Sequence, residues 1–345
     1  MKPTRFGVIP LLLLTLYSAS AVAHTTLDFN VFIPHGHFIW KVFRHWKQDV
    51  ARVTDGRVTV TFPAASAAPP PDQWNAVRGG LVDGAFIFNS FAPKSVRTLQ
   101  RFGQLPFISG TNDTEAASVA YWRTYKKFFA SHEKTPNVHV ISCFVFGKAQ
   151  MYSLSRHPIT SVADLRDRRM WALPGTATGM LKNLHVSFTA GPAVRIVQLA
   201  SRHVVEGAIG LDPYAMVHFQ AAPYVKSETV IPGGISTASF TAFINEAKWK
   251  KISKADRAAI MRVSGAVLAR RVGQMADRGN KQAAKQLVKQ GDKMVQASPQ
   301  FIHKLKAASA PLTTAWIRKA DELGVNGKAA IAYFKAQAKR VQSQE

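Results

Sequence analysis

One short pattern occurs twice in this chain, and it limits the folds available. Gly80-Leu81-Val82-Asp83-Gly84-Ala85-Phe86 is echoed by His203-Val204-Val205-Glu206-Gly207-Ala208-Ile209. Each copy reads as a helix end, an acidic-Gly-Ala turn and an apolar strand. The glycine permits a tight turn, and the strand after it enters a core. Two copies, each preceded by a helical stretch, predict two lobes of similar build.

The rest of the chain alternates in the same way. Leu27 to Ile33 reads as a strand, broken by Pro34-His35-Gly36-His37. Phe38 to Val53 has helical periodicity and ends at Asp55-Gly56. Arg57 to Phe62 is a second strand, and Asp72 is placed to cap a helix through Val77. Further on, Gln150 to Leu154, Met170 to Leu173 and Ala238 to Ile244 read as strands, and Arg195 to His203 as a helix. Ser161-Val162-Ala163-Asp164 has the spacing of a capping box. The predicted class is α/β with mostly parallel sheets. From Ser253 to Val295 a single long helical pattern runs without proline, and the tail from Pro299 to Gln342 reads as shorter helices.

The first 23 residues stand apart. Lys2 and Arg5 precede an apolar run centred on Leu11 to Leu14, and Ala21-Val22-Ala23 follows as a small-x-small cleavage site. That order predicts a cleaved secretory signal and export to the periplasm. The single cysteine, Cys143, lies in an apolar strand and is expected to be a core residue.

Charge is the feature that invites a different reading. The 345 residues carry 45 Lys and Arg against 20 Asp and Glu, a formal net charge of +25. Such an excess suits polyanion binding. The basic residues are spaced along helices, however, as in Lys281, Lys285, Lys289 and Lys293, which makes a solvated face. No nucleic-acid-binding signature accompanies them. Nor is there a G-x-S-x-G, an H-E-x-x-H, a P-loop or a G-x-G-x-x-G, so neither an enzyme nor a cofactor is predicted. No nucleic-acid partner is expected, and a monomer is.

Several motifs together carry a resemblance. They are Asp55-Gly56-Arg57-Val58, the stretch Ala76 to Ala85, Leu105-Pro106-Phe107, Ser161 to Leu173, Val205-Glu206-Gly207-Ala208, and Ser239 to Asn245 followed by Ile252-Ser253-Lys254-Ala255-Asp256. In order and spacing the chain resembles the periplasmic binding subunit of C4-dicarboxylate-type tripartite ATP-independent periplasmic (TRAP) transporters, from about Thr26 to about Val295. The resemblance implies a two-lobed periplasmic binding protein, type II-like, with crossing strands and a long hinge helix. Residues 24–146 with 237–275 would form one lobe, 147–236 with 276–335 the other, and 336–345 a tail. It also implies a small organic solute, by analogy an organic acid, held in the cleft and passed to membrane permease subunits.

The family's carboxylate-gripping arginine falls, in Asp164-Leu165-Arg166-Asp167-Arg168-Arg169-Met170-Trp171, at Trp171. Indole offers a plane and one N–H donor, so an aromatic, neutral or cationic solute becomes the alternative. Lys148 stands as either the displaced positive charge or a surface lysine, and Gln150 beside it as a ligand contact. His35 and His37 follow the first strand, where loops face the cleft; an H-x-H pair alone is weak support for a metal, and none is predicted. Phe38 reads as cleft or core, and Asn89 as ligand contact or turn residue. Asp212 reads as ligand contact, helix cap, or both, since Pro213 follows it. Tyr214 and Phe240 read as cleft or core.

Overall fold

The two copies of the acidic-Gly-Ala turn make the same pair of hydrogen bonds. Asp83 N–H donates to the carbonyl of Asp28 at 2.8 Å, and the Asp83 carboxylate accepts from Asp28 N–H at 2.9 Å. Glu206 N–H donates to the carbonyl of Arg169 at 2.8 Å, and its carboxylate accepts from Arg169 N–H at 3.1 Å. In each case the acid ties the start of its own strand to the neighbouring strand. The computed structural model describes residues 24–135 and 137–344, so the proposed signal segment lies outside the described residues.

In chain order the strands are β1 (Thr25–Asn30), β2 (Val58–Thr61), β3 (Gly84–Phe88), β4 (Val138–Lys148), β5 (Met151–Ser153), β6 (Met170–Ala172), β7 (Phe188–Ala190), β8 (Gly207–Ile209), β9 (Ser227–Val230), β10 (Thr237–Asn245) and β11 (Lys293–Gln296). They form two sheets, ordered β2-β1-β3-β10-β4 and β11-β9-β5-β8-β6-β7. Each sheet is parallel except for one inserted antiparallel strand, β10 in the first and β5 in the second. The helices are α1 (Phe38–Val53), α2 (Gln73–Arg78), α3 (Lys94–Gln100), α4 (Thr114–Thr124), α5 (Val162–Arg166), α6 (Thr176–Asn183), α7 (Ile196–Ser201), α8 (Pro213–His218), α9 (Glu246–Lys251), α10 (Lys254–Val263), α11 (Gly265–Lys289), α12 (Pro299–Glu322) and α13 (Gly327–Gln342).

The chain crosses between sheets twice as extended backbone, from β4 to β5 and from β9 to β10. The two crossings run side by side. Ala149 N–H donates to Ser236 O and Ile235 N–H donates to Ala149 O, both at 2.9 Å. Gln150 then acts as a side-chain rung: its amide oxygen accepts from Ile231 N–H at 2.8 Å and its amide nitrogen donates to Ile231 O at 3.4 Å.

Helix α11 lies along both lobes. Asp277 accepts from Thr114 and Glu115 N–H at 2.9 and 3.2 Å, capping α4 in the first lobe. One turn later Asn280 accepts from Tyr214 N–H at 3.0 Å, holding α8 in the second. Glycines on its buried face make this closeness possible. A Cβ on Gly273 would lie 2.3 Å from Glu115 Cα, and one on Gly279 would lie 2.6 Å from the Tyr214 ring.

The long helical pattern expected from Ser253 to Val295 is divided. It breaks at Ser264-Gly265, where Gly265 has φ +49° and leaves no room for a Cβ against the Trp122 ring. It ends before β11, a mostly exposed edge strand that pairs with β9 and carries too little apolar pattern to be read. In the segment from Pro299 to Gln342 the first helix is longer than expected, because α12 runs through Pro311 for 24 residues. Nor does it group wholly with the second lobe. Leu312 packs at Gly179 of α6, whereas Trp316 donates to Thr98 O of α3 at 3.1 Å. Helix α13 sits on the first lobe, with Gln337 accepting from Arg123 at 2.8 Å. No helix among the described residues is long and apolar enough to cross a membrane.

Candidate ligand cleft

In open α/β sheets ligands sit beyond the carboxyl ends of the parallel strands. Here both sheets turn those ends toward one cleft. The first lobe contributes Phe32 and Ile33 after β1, Phe88 and Phe91 at and after β3, Phe146 near the end of β4, and Phe240 on β10. The second lobe contributes Leu173 after β6, Pro192 to Val194 after β7, Leu211 and Asp212 after β8, and Phe219 after α8.

The walls are aromatic because strand alternation points every second residue into the cleft. Phe88, Phe240 and Phe144 share one rung across β3, β10 and β4. The Phe240 and Phe146 rings lie 4.1 Å apart, and Phe240 and Phe88 lie 5.6 Å apart. No Lys or Arg lines this space. Its polar side chains are His37 and Asp212.

His37 caps α1, with Nδ1 accepting from Ile39 N–H at 3.2 Å. Burial, and secondarily the neighbouring His218, holds its pKa well below the ordinary imidazole value. The ring is therefore neutral with its proton on Nε2, and it offers the cleft a donor rather than a charge. Asp212 caps α8, accepting from Ala215 N–H at 2.7 Å and from Asn280 at 3.1 Å. Burial raises its pKa. Both readings of Asp212 are thus compatible: it is a cap, and it lines the cleft.

The other candidates stand further back. Asn89 is fully buried, donating to Tyr121 and Ser239 and accepting from Thr241, so its amide is used within the first lobe. Gln150 is used in the crossing strands. The Lys148 amine is buried without a hydrogen-bond partner near Asp277 and Asp113, at the start of α4, and burial lowers its pKa to about 8. It is neither a surface lysine nor a cleft-lining one. His35 is exposed and stacks on Trp40 at 4.0 Å, while Phe38 is buried behind His37. Tyr214 bridges the lobes from behind the cleft.

Trp171 is wholly buried and does not line the cleft. It shares one rung of the second sheet with Thr189, Ala208, Tyr152, Glu228 and Met294. Leu173, two residues on and on the same face, takes the cleft position. The Trp171 Nε1, Tyr152 hydroxyl and Glu228 Oε2 on this rung are buried without hydrogen-bond partners among the described residues. The phenylalanines at 32, 88, 91, 146 and 219 were missed. Phe32 and Phe88 lie in runs that read as strands and Phe91 and Phe219 in none, and only the pairing of distant strand ends shows which rings face the cleft.

Two sheets joined by crossing strands, with an enclosed space at the carboxyl ends of both, define a two-lobed solute-binding protein. The family model for "bacterial extracellular solute-binding protein, family 7" matches residues 29–319, and the chain belongs to that family. A TRAP periplasmic solute-binding protein from Bordetella bronchiseptica, with (R)- and (S)-mandelate bound, is 26% identical; it covers 92% of this chain and 99% of its own, with a TM-score of 0.86. A marine metagenome TRAP solute-binding protein specific for aromatic acid ligands is 24% identical with the same coverage and a TM-score of 0.81. The "outer membrane transporter protein TsaT" of Comamonas testosteroni is 31% identical over 328 residues, 95% of this chain and 96% of its own. This chain is accordingly a solute-binding subunit of the TRAP type, which works with membrane components of such a transporter.

Proposed function

We propose that this subunit captures a small aromatic solute between its lobes in the periplasm and delivers it to the membrane permease. Phe88, Phe91, Phe146, Phe219 and Phe240, converging from both lobes around one cleft, carry this reading. Ring faces and edges give an aromatic ligand close, orientation-dependent contact. The mandelate-bound relative supports the same class. A free cation fits less well. Asp212 is the one carboxyl lining the cleft, and burial raises its pKa, which disfavours its charged form. A C4-dicarboxylate would meet hydrocarbon at most positions. Export rests on the leader-like residues 1–23. Capture requires no catalytic group or cofactor, and the reading takes the protein as a monomer without a nucleic-acid partner.

Thermal unfolding against a panel of aromatic acids, aliphatic dicarboxylates and amines tests the reading. A ligand at a thousand times its Kd adds about 4 kcal/mol, or several degrees. Stabilisation by aromatic members is expected. Stabilisation only by succinate-like acids or amines would overturn it.

A further inference from the structure

Next to the aromatic cleft lies a second, smaller chamber, whose free space of about 10 Å³ is that of one water-sized group, such as a single carboxylate oxygen. Phe88, Leu173 and Gly210 line both spaces, so the two adjoin. The chamber's other lining residues are Gln104, Thr176, Ser236 and Thr237, with Pro174 and Ala177. Gln104 is 2% exposed. Its amide oxygen accepts from the Ser90 hydroxyl at 2.8 Å, which fixes the amide, and its Nε2 has no partner. A buried donor left unpaired is costly, and such a group points to something that completes it.

The opposite wall is the start of α6. This eight-residue helix opens at Gly175, which supplies no side-chain cap. Its first N–H groups therefore lack the usual oxygen acceptor, and they carry the positive end of the helix dipole. Beyond Pro174 to Thr176 a groove carries Lys94, Arg97, Arg101, Lys182 and Lys319, and no acidic residue lines it. These cations raise the potential at the chamber without entering it.

The chamber is also an interlobe structure. Gln104 and Ser90 belong to the first lobe and α6 to the second. Gly175, at φ +125°, admits them: a Cβ there would lie 2.3 Å from the Gln104 amide oxygen and 2.6 Å from the Ser90 hydroxyl. Thr176 donates its hydroxyl to the Gln104 carbonyl across the same seam.

We propose that this chamber, between Gln104 Nε2 and the N terminus of α6, binds the carboxylate of an aromatic monoacid whose ring occupies the adjoining cleft. The inference rests on the aromatic reading above and names the acid-binding group within it. Neutral donors then take the role of the arginine that the resemblance assigns to position 171, which here holds a buried tryptophan outside the cleft. The carboxylate bridges the lobes, so its capture and their closure are one event.

Isothermal titration of the purified protein with three acid–amide pairs tests this: mandelate with mandelamide, benzoate with benzamide, and 3-hydroxybenzoate with its amide. At least one acid is expected to bind about tenfold or more tighter than its amide. Q104L should abolish that preference by weakening the acid about tenfold while leaving the amide within about threefold. G175A should act in the same direction by holding the seam apart. F219A should weaken acid and amide alike. Equal binding of acid and amide by the unaltered protein, or an acid preference that survives Q104L, overturns the chamber and leaves the aromatic reading standing. Failure of every acid and amide to bind overturns both.

Discussion

The phenol oxygen of Tyr214, on the second lobe, accepts a hydrogen bond from the backbone N–H of Phe38, on the first, at 2.7 Å. That N–H opens α1 and has no acceptor within its own helix. The bond therefore exists only when the lobes are together. Y214F should weaken ligand binding by about five- to tenfold, the worth of one buried hydrogen bond, with little change in unfolding temperature. Titration calorimetry on both proteins decides; an unchanged Kd would remove this bond from closure.

Phe219, like Phe32 and Phe91, is a cleft ring that is only partly buried. Its removal should cost ligand more than it costs folding. F219A is expected to weaken an aromatic ligand about tenfold while lowering stability by about 1 kcal/mol or less. Parallel binding and denaturant titrations separate the two effects. A large stability loss with unchanged affinity would place Phe219 in the core alone.

Lys148 carries a buried amine whose pKa falls from 10.5 to about 8. The folded state thus disfavours the charged form, and the penalty is complete below pH 8. It is relieved as pH rises from about 8 toward 10.5, so the lysine makes stability climb across that window. K148M should flatten the climb and raise stability at pH 7, by up to about 3 kcal/mol. Because the amine faces α4 and not the cleft, affinity should stay within about twofold. Denaturant melts from pH 7 to 10 and one binding isotherm test both halves.

Glu228 titrates in the opposite sense. Burial, with Asp212 and Asp292 adding like charge, raises its pKa from 4.5 to about 7. The folded state holds this proton more tightly than the unfolded chain, so stability falls as pH rises from about 4.5 to 7. E228Q should remove that fall and leave the protein more stable at pH 7.5 by up to about 3 kcal/mol. Melts at pH 5 and 7.5 check it; an identical slope in the variant would assign the fall to other groups.

Much of the fold was written in local pattern. Phe38 to Val53 is α1 to the residue, and the Ser161–Asp164 capping box is present with both its bonds. The repeated acidic-Gly-Ala turn does mark equivalent strands in two sheets. The site was legible only in part. His37, Asp212 and Phe240 line the cleft because each follows or sits on a strand whose end faces it. Asn89, Lys148, Gln150 and Trp171 were placed by position in the chain, but distant partners decide where they point. Thr241 and Tyr121 engage Asn89, and Ile231 engages Gln150. Gln104 carried no sequence signal of its own. Its free amide is visible only once Ser90 and Gly175 are beside it.

Helix α11 is fastened to the first lobe through Arg270, Arg271 and Asp277 and to the second through Asn280 and Gln290. The two sets do not interleave: the first ends at Asp277 and the second begins at Asn280, about 4.5 Å further along the axis. Each lobe thus owns its own half of one rod. A bend confined to that single turn would part the two halves, and the lobes with them, without loosening any of these attachments.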